Sequence, residues 1–296
     1  MTASLITRFA PSPNGLMHLG HALSALTGWQ MARASGGTFL LRIEDIDRGR
    51  TRPEFIDAIF EDLAWLGIDW PEPVRRQSEH FADYEAALRR LRALGLIYPC
   101  FATRGEINAA IEATGLRLSQ WPRDPDGALV YPGLYKDTDP AEIDRLMWEG
   151  RSFAWRLDMA KAHALAQEMA GGPLSFLETG AGPRGETGRI PVDPEPFGDI
   201  VIARKDVPTS YHLAVTLDDA AQGITMVTRG QDLFAATHIH RVLQVLLGLP
   251  EPHYHHHRLI RDETGRRLSK TAQDQGLRDL RAAGLTPQDI RSRIGV

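Results

Sequence analysis

The chain begins with a short apolar run and then changes period. Ser4–Phe9 fits a strand, and Pro11, Pro13 and Gly15 then mark a turn. From His18 to about Ser35 the residues Leu19, Ala22, Leu23, Leu26 and Met31 recur at helical spacing, and Gly36-Gly37 ends the pattern. Thr38–Ile43 returns to the alternation of a strand. Strand, glycine turn, helix and strand in that order predict the opening of a nucleotide-binding α/β fold. Two helices are predicted next, Pro53–Leu66 on Phe55, Ile59, Leu63 and Leu66, and Glu79–Leu94 on Tyr84, Leu88, Leu91 and Leu94. Pro53 suits a first helical turn.

From about Tyr98 to Pro191 the rhythm is lost. Thr103 with Glu106 forms a capping box for a short helix, and Asp139-Pro140 starts another. Ser152–Met159 reads as a strand, whereas Gly115–Gly133 and Gly171–Pro196 are dense in Gly and Pro. This stretch reads as an insertion that splits a nucleotide-binding domain. The expected division is 1–98 with 191–250 for the catalytic domain, 99–190 for the inserted subdomain, and 251–296 for a lysine-bearing loop and helical tail. Asp199–Ala203 and Ile224–Thr228 resume the strands. The second runs through Arg229-Gly230-Gln231-Asp232 into a helix over 233–247, whose N-terminus suits an anion. Thr286, Pro287 and Asp289 cap a last helix.

A chain of 296 residues can hold a catalytic domain with an insertion. No apolar run reaches membrane-spanning length, and the N-terminus shows no signal-peptide hydrophobic region, so a cytoplasmic protein is expected. One cysteine, Cys100, excludes an internal disulfide and a Cys-rich zinc site. The net charge of −4 does not advertise a polyanion partner. Arginine far outnumbers lysine, which fits bidentate phosphate contact and equally a GC-rich genome.

Two segments carry candidate chemistry. His18-Leu19-Gly20-His21 places two imidazoles at i and i+3 on one side of a helix start, where they suit phosphate oxygens. Gly20 would let adenine or ribose approach the backbone. Arg267-Leu268-Ser269-Lys270 follows an Asp262–Gly265 turn and offers a mobile cation. Together they suit attack by a carboxylate on the α-phosphate of ATP, which needs positioning and cations more than a side-chain nucleophile. Taken alone, the first segment fits a satisfied histidine pair and the second an exposed hairpin lysine. His255-His256-His257 alternates faces in a strand, so only His255 and His257 could share a metal. A wall beside ATP or RNA fits the three better.

The whole chain resembles the catalytic domain of class I glutamyl-tRNA synthetases. The matches are R-F-A-P-S-P at Arg8–Pro13, H-L-G-H at His18–His21, R-I-E-D at Arg42–Asp45, W-L-G-I-D-W at Trp65–Trp70, Q-S at Gln77-Ser78, Y-P-C at Tyr98–Cys100, Y-H-L-A at Tyr211–Ala214, R-G at Arg229-Gly230 and R-L-S-K at Arg267–Lys270. The resemblance implies a Rossmann-like, HUP-type parallel sheet with an inserted acceptor-binding-like subdomain and a KMSKS-like loop. It implies a glutamate pocket of Arg8, Phe9, Ala10, Pro11 and Ser12, with Glu44 for the ammonium and Tyr211 and Arg229 completing it. His18, Gly20, His21, Leu268, Ser269 and Lys270 would serve ATP, with His18, His21 and Lys270 acting in catalysis. Glu44 read by itself is equally a carboxylate paired with Arg42 or Arg48.

Full-length members continue into a helical anticodon-binding region, whereas this chain stops about two dozen residues after Lys270. It therefore resembles the shortened branch, the glutamyl-queuosine tRNA(Asp) synthetases. That branch activates glutamate without tRNA and transfers it to the wobble queuosine. Expected partners are L-glutamate, ATP with Mg²⁺ and queuosine-modified tRNA(Asp), with no membrane and a monomeric chain. The branch often holds zinc through C-x-C and Y-x-x-x-C. Here Ala102 and Tyr135 replace two thiolates, leaving Cys100 and Tyr131, so no structural zinc is expected. The alternatives are a truncated enzyme charging tRNA(Glu) and a silent tRNA-binding relative.

Overall fold

A computed structural model describes residues 4–261 and 275–296. Strand β1 (Ile6–Phe9), helix α1 (Leu19–Ala34) and strand β2 (Thr38–Ile43) form the expected unit, with β1 and β2 parallel and Ile6 opposite Thr38. Then come α2 (Pro53–Trp65), the two-residue β3 (Arg75–Arg76), which extends the sheet beside β2, and α3 (Phe81–Ala93). The insertion carries β4 (Ile97–Cys100), α4 (Arg104–Glu112), α5 (Pro140–Trp148), β5 (Ala154–Leu157) and α6 (Met159–Ala170). The chain continues through β6 (Ser175–Glu178), β7 (Gly188–Pro191), β8 (Val201–Arg204), α7 (Tyr211–Ala221), β9 (Met226–Gly230), α8 (Ala236–Leu247) and β10 (His253–His257). Helices α9 (Leu277–Ala282) and α10 (Pro287–Ile294) close it.

Parallel pairing of β10 with both β9 and β6 builds the second half of the sheet. The halves meet where Thr225, just ahead of β9, donates its N–H to the Ile6 carbonyl at 3.0 Å. Side chains of β1 and β2 alternate between two cores. Phe9, Phe39, Leu41 and Ile43 pack with α1, α2, α9 and α10. Ile6 and Leu40 turn the other way, onto a core of α3, α6, α7 and α8. Burial on both faces is what a parallel sheet requires.

Local signals explain the ends of the elements. Thr103 and Glu106 exchange side-chain caps ahead of α4, and Thr286 and Asp289 do the same ahead of α10. Three strands depart from the expected division of the chain. Strand β6 falls inside 99–190 and β7 at its end, yet they pair into the nucleotide-side sheet. Strand β8 lies beyond 191, yet it pairs antiparallel with β5, which pairs with β4. Pairing is decided by long-range register, which a Gly- and Pro-rich stretch does not display. Among the described residues, no helix is long and apolar enough to cross a membrane.

Candidate active site

One cleft of about 450 Å³ lies at the C-terminal ends of β1, β2 and β9, where open α/β sheets hold ligands. It is lined by Arg8, Phe9, Ala10, Pro11, Ser12, His18, Gly20, His21, Glu44, Tyr211 and Arg229. Every expected glutamate residue and every expected ATP residue of the first segment therefore meets there. Leu268, Ser269 and Lys270 lie outside the described residues. The chain on either side of them does reach this place. Arg258, Leu259 and Ile260 line the cleft, and the Leu277 N–H donates to the Met17 carbonyl at 2.8 Å, next to His18.

The two histidines cap their own helix. His18 Nδ1 accepts from the Gly20 N–H at 3.1 Å, and His21 Nδ1 accepts from the His18 N–H at 3.1 Å. Both Nδ1 atoms are thus unprotonated acceptors, so in each neutral ring Nε2 carries the proton. Caps of this kind satisfy N–H groups that a helix start leaves without partners. Gly20 is required for a reason internal to the chain. A Cβ there would stand 2.9 Å from His18 Cε1, inside contact distance. Gly20→Ala is expected to push the His18 ring out of place. It should cost about 1 kcal/mol of stability, the worth of a cap. Urea unfolding measures the loss.

Arg8 is held by a buried carboxylate that sequence reading did not single out. Its Nε and a terminal nitrogen donate to the two oxygens of Asp219 at 3.0 and 3.2 Å, and the other terminal nitrogen donates to the Thr228 carbonyl at 3.0 Å. The same Asp219 accepts from Arg42 at 2.9 Å, and Arg42 reaches Glu44 at 3.3 Å. Glu44 accordingly combines both readings offered for it, since it pairs with Arg42 and lines the cleft. Burial raises its pKa, and Arg42 and Arg8 pull the other way. Neighbouring Asp218, fully buried, accepts from Arg75 at 2.8 Å, from Gln77 at 2.8 Å and from the Tyr84 hydroxyl at 2.9 Å. Asp45 accepts from the Ser78 backbone and hydroxyl at 2.8 and 2.7 Å. The separate motifs Arg42–Asp45 and Gln77-Ser78 are therefore joined in one polar floor beneath the cleft.

Arg229 has other company. Its Nε donates to His256 Nε2 at 3.1 Å, one terminal nitrogen to His240 Nδ1 at 3.2 Å, and the other to the Thr237 hydroxyl at 2.6 Å. The Tyr211 hydroxyl lies 3.5 Å away. His240, His256, Thr237 and Asp219 were not among the expected site residues. His257 does line the cleft, and His255 sits beside the Thr179 hydroxyl at 3.2 Å. The middle histidine, facing inward, is the one that bonds Arg229.

At the position where the resemblance implies a zinc site, the donors do not fit the metal. The Cys100 sulfur lies 3.1 Å from the Tyr131 hydroxyl, which donates to the Leu134 carbonyl. The Arg156 guanidinium, a cation, stacks 3.5 Å from the centre of the Tyr131 ring. Tyr135 packs edge-on against Phe101, and Ala102 offers no donor. Burial raises the pKa of the Tyr131 phenol, so it resists the ionised form a metal would need.

Comparison with known proteins places this geometry. Residues 4–128 and 186–294 match the family model described as tRNA synthetases class I (E and Q), catalytic domain. The chain belongs to that family. A glutamyl-Q tRNA(Asp) synthetase of Rhodobacter capsulatus is 47% identical over 99% of this chain and 100% of its own length. Another from Nocardia farcinica is 39% identical over 96% of this chain and 81% of its own length. A crystal structure of a glutamate tRNA ligase from Elizabethkingia meningosepticum in complex with its amino acid superposes with a TM-score of 0.70 at 26% identity. That match covers 92% of this chain and 53% of the other, so the chain spans about half the length of that ligase. The family implies ATP, glutamate and tRNA as substrates, with Mg²⁺ arriving on the nucleotide.

Proposed function

We propose that this chain joins glutamate to AMP at the expense of ATP and then transfers the glutamyl group to the queuosine base of tRNA(Asp). The observation that carries the proposal is the convergence of Arg8, Glu44 and Arg229 with the His18–His21 cap on a single cleft. In the first step a carboxylate oxygen of glutamate attacks the α-phosphorus, and pyrophosphate leaves with the electrons of the broken P–O bond. In the second a hydroxyl of the cyclopentene ring of queuosine attacks the acyl carbon and gives up its proton, AMP departs with the electrons of the broken C–O bond, and an ester remains.

The residue roles follow from chemistry. Glu44 suits the substrate ammonium, whose charge would stabilise a carboxylate that burial disfavours. Arg229 suits a substrate carboxylate by its planar donors. Phe9, Ala10, Pro11, Ser12 and Tyr211 wall the pocket. The Nε2–H groups of His18 and His21 suit phosphate oxygens, and Lys270 the charge that grows on them. The two relatives above that are named for glutamyl-Q tRNA(Asp) are matched over 81% and 100% of their length. The glutamate tRNA ligase is matched over 53%, so this support favours queuosine over the acceptor end of tRNA(Glu).

Exchange of pyrophosphate into ATP, run with glutamate and without tRNA, tests the first step. Exchange with glutamate supports the reading. No exchange would favour a silent relative, and exchange driven by glutamine instead would overturn the pocket. The purified chain is further expected to carry well under one zinc, because Cys100 and Tyr131 are committed to each other. Metal analysis returning one zinc per chain would refute that.

A further inference from the structure

Glu178 is the feature that the chemistry above leaves unused. It is a carboxylate 1% exposed at the end of β6, against an aromatic core that includes Phe176, Phe234 and Tyr254. Isolated, such a group would be costly to bury. Its partners are specific. One oxygen accepts from the Gly180 and His256 backbone N–H groups at 2.8 and 2.9 Å, and the other lies 2.5 Å from His256 Nδ1. The opposite nitrogen of that ring, Nε2, faces Arg229 Nε at 3.1 Å.

The proton positions in this row are fixed by elementary chemistry. Guanidinium only donates, so every ring nitrogen it touches must accept. His256 Nε2 therefore carries no proton. Nδ1 carries it and donates to Glu178. By the same argument His240 Nδ1 accepts from Arg229, and His240 Nε2–H donates to His212 Nδ1 at 3.2 Å. All three rings are neutral. Burial pushes the pKa of His256 down to about 4 against the pull of Glu178, and burial brings His212 to about 4 as well. Burial also works against the Glu178 anion, but the bonds from His256 and the backbone hold its pKa below the usual carboxylate range.

Arg8 and Arg229 are consequently held in opposite ways. Asp219 grips Arg8 directly and cancels its charge in contact. Arg229 meets neutral acceptors on three sides, His256, His240 and Thr237, and among the described residues no carboxylate lies within ion-pair distance of it. Its counter-charge, Glu178, stands one imidazole away. A direct carboxylate partner would occupy the planar donors that a substrate carboxylate needs. The imidazole passes on orientation and takes only the Nε–H, while each terminal nitrogen keeps a second N–H beyond those given to His240 and Thr237.

We propose that Glu178 and His256 are positioning residues: Glu178 holds His256 in the tautomer that accepts from Arg229, and His256 so aims the guanidinium at the substrate carboxylate. The inference rests on the reading of Arg229 as a carboxylate ligand. Glu178→Gln offers an amide that donates to Nδ1 and drives the proton to Nε2, where it opposes Arg229. His256→Leu removes the acceptor. His256→Gln restores an acceptor toward Arg229.

Steady-state pyrophosphate exchange of the full chain provides the test. Glu178→Gln and His256→Leu are expected to raise the KM for glutamate about tenfold, the worth of one charge-assisted hydrogen bond, with the KM for ATP and kcat within about twofold. His256→Gln should return the glutamate KM to within about threefold of the parent. Added to Arg229→Gln, Glu178→Gln should cost nothing more, because the two act as one unit. Equal rises in both KM values, or additive losses in the double variant, would overturn the proposal. If Arg229→Gln alone left the glutamate KM unchanged, the carboxylate role of Arg229 would fail first, and the relay with it. Nitrogen-15 spectra of the parent protein decide the tautomer whether or not the variants fold. A proton on His256 Nδ1 supports the relay, and one on Nε2 excludes it.

Discussion

Replacing Asp219 by alanine is expected to cost about 3–5 kcal/mol of stability, the toll of stranding buried charge. Two guanidiniums, Arg8 and Arg42, bond this carboxylate directly. Arg42 is fully buried and Arg8 is 4% exposed. With Asp219 gone, Arg8 keeps only the Thr228 carbonyl, and Arg42 must lean more on Gln222, Glu44 and Asp218. Glu44 would then be pulled from the cleft, so activity falls beyond the loss of fold. Burial opposes the Asp219 anion, yet Arg8 and Arg42 hold its pKa below the ordinary carboxylate value. The sign follows from that depression. The contribution is present at neutral pH and is lost as pH falls through the depressed pKa. Urea unfolding at neutral pH measures the cost. A loss under about 1 kcal/mol, the worth of an exposed ion pair, would contradict the account.

Lys270→Ala is expected to slow glutamate activation by about 10²–10³-fold, the range found when one transition-state donor is removed. The dissociation constant for glutamate should stay within about twofold. A cation that follows phosphate charge contributes little before that charge develops, so its loss falls on kcat rather than on ground-state binding. Pre-steady-state formation of the adenylate, beside equilibrium binding of glutamate, separates the two quantities. Equal losses in both would remove Lys270 from this role.

The parts legible in the sequence were those with a local physical signature. Periodic apolar positions and a glycine stop marked β1, α1 and β2, and capping boxes marked the starts of α4 and α10. Helix α7 escaped because Asp218 and Asp219 interrupt its apolar stripe, and both are buried there against arginines from the first hundred residues. Such partners lie 143 to 211 residues apart, and no window of sequence shows the pairing. Strands β6 and β7 were hidden in a Gly- and Pro-rich stretch, where β6 takes its pairing from β10 and β7 takes its from β6.

The candidate site divides the same way. Motif residues of the cleft could be named from sequence, whereas the groups that orient them could not. Alternation along β10 did hold a clue. A strand that turns His255 and His257 to one face turns His256 to the other. A polar ring on the inward face demands a buried partner, and Glu178 and Arg229 meet that demand.

The most direct measurement is transfer of radiolabelled glutamate to purified tRNA(Asp) with and without queuosine, using tRNA(Glu) as the control. Label retained on queuosine-containing tRNA(Asp) alone, and released by mild base as an ester, is the predicted result. Label on the terminal adenosine of tRNA(Glu), or equal labelling of tRNA(Asp) lacking queuosine, would contradict it.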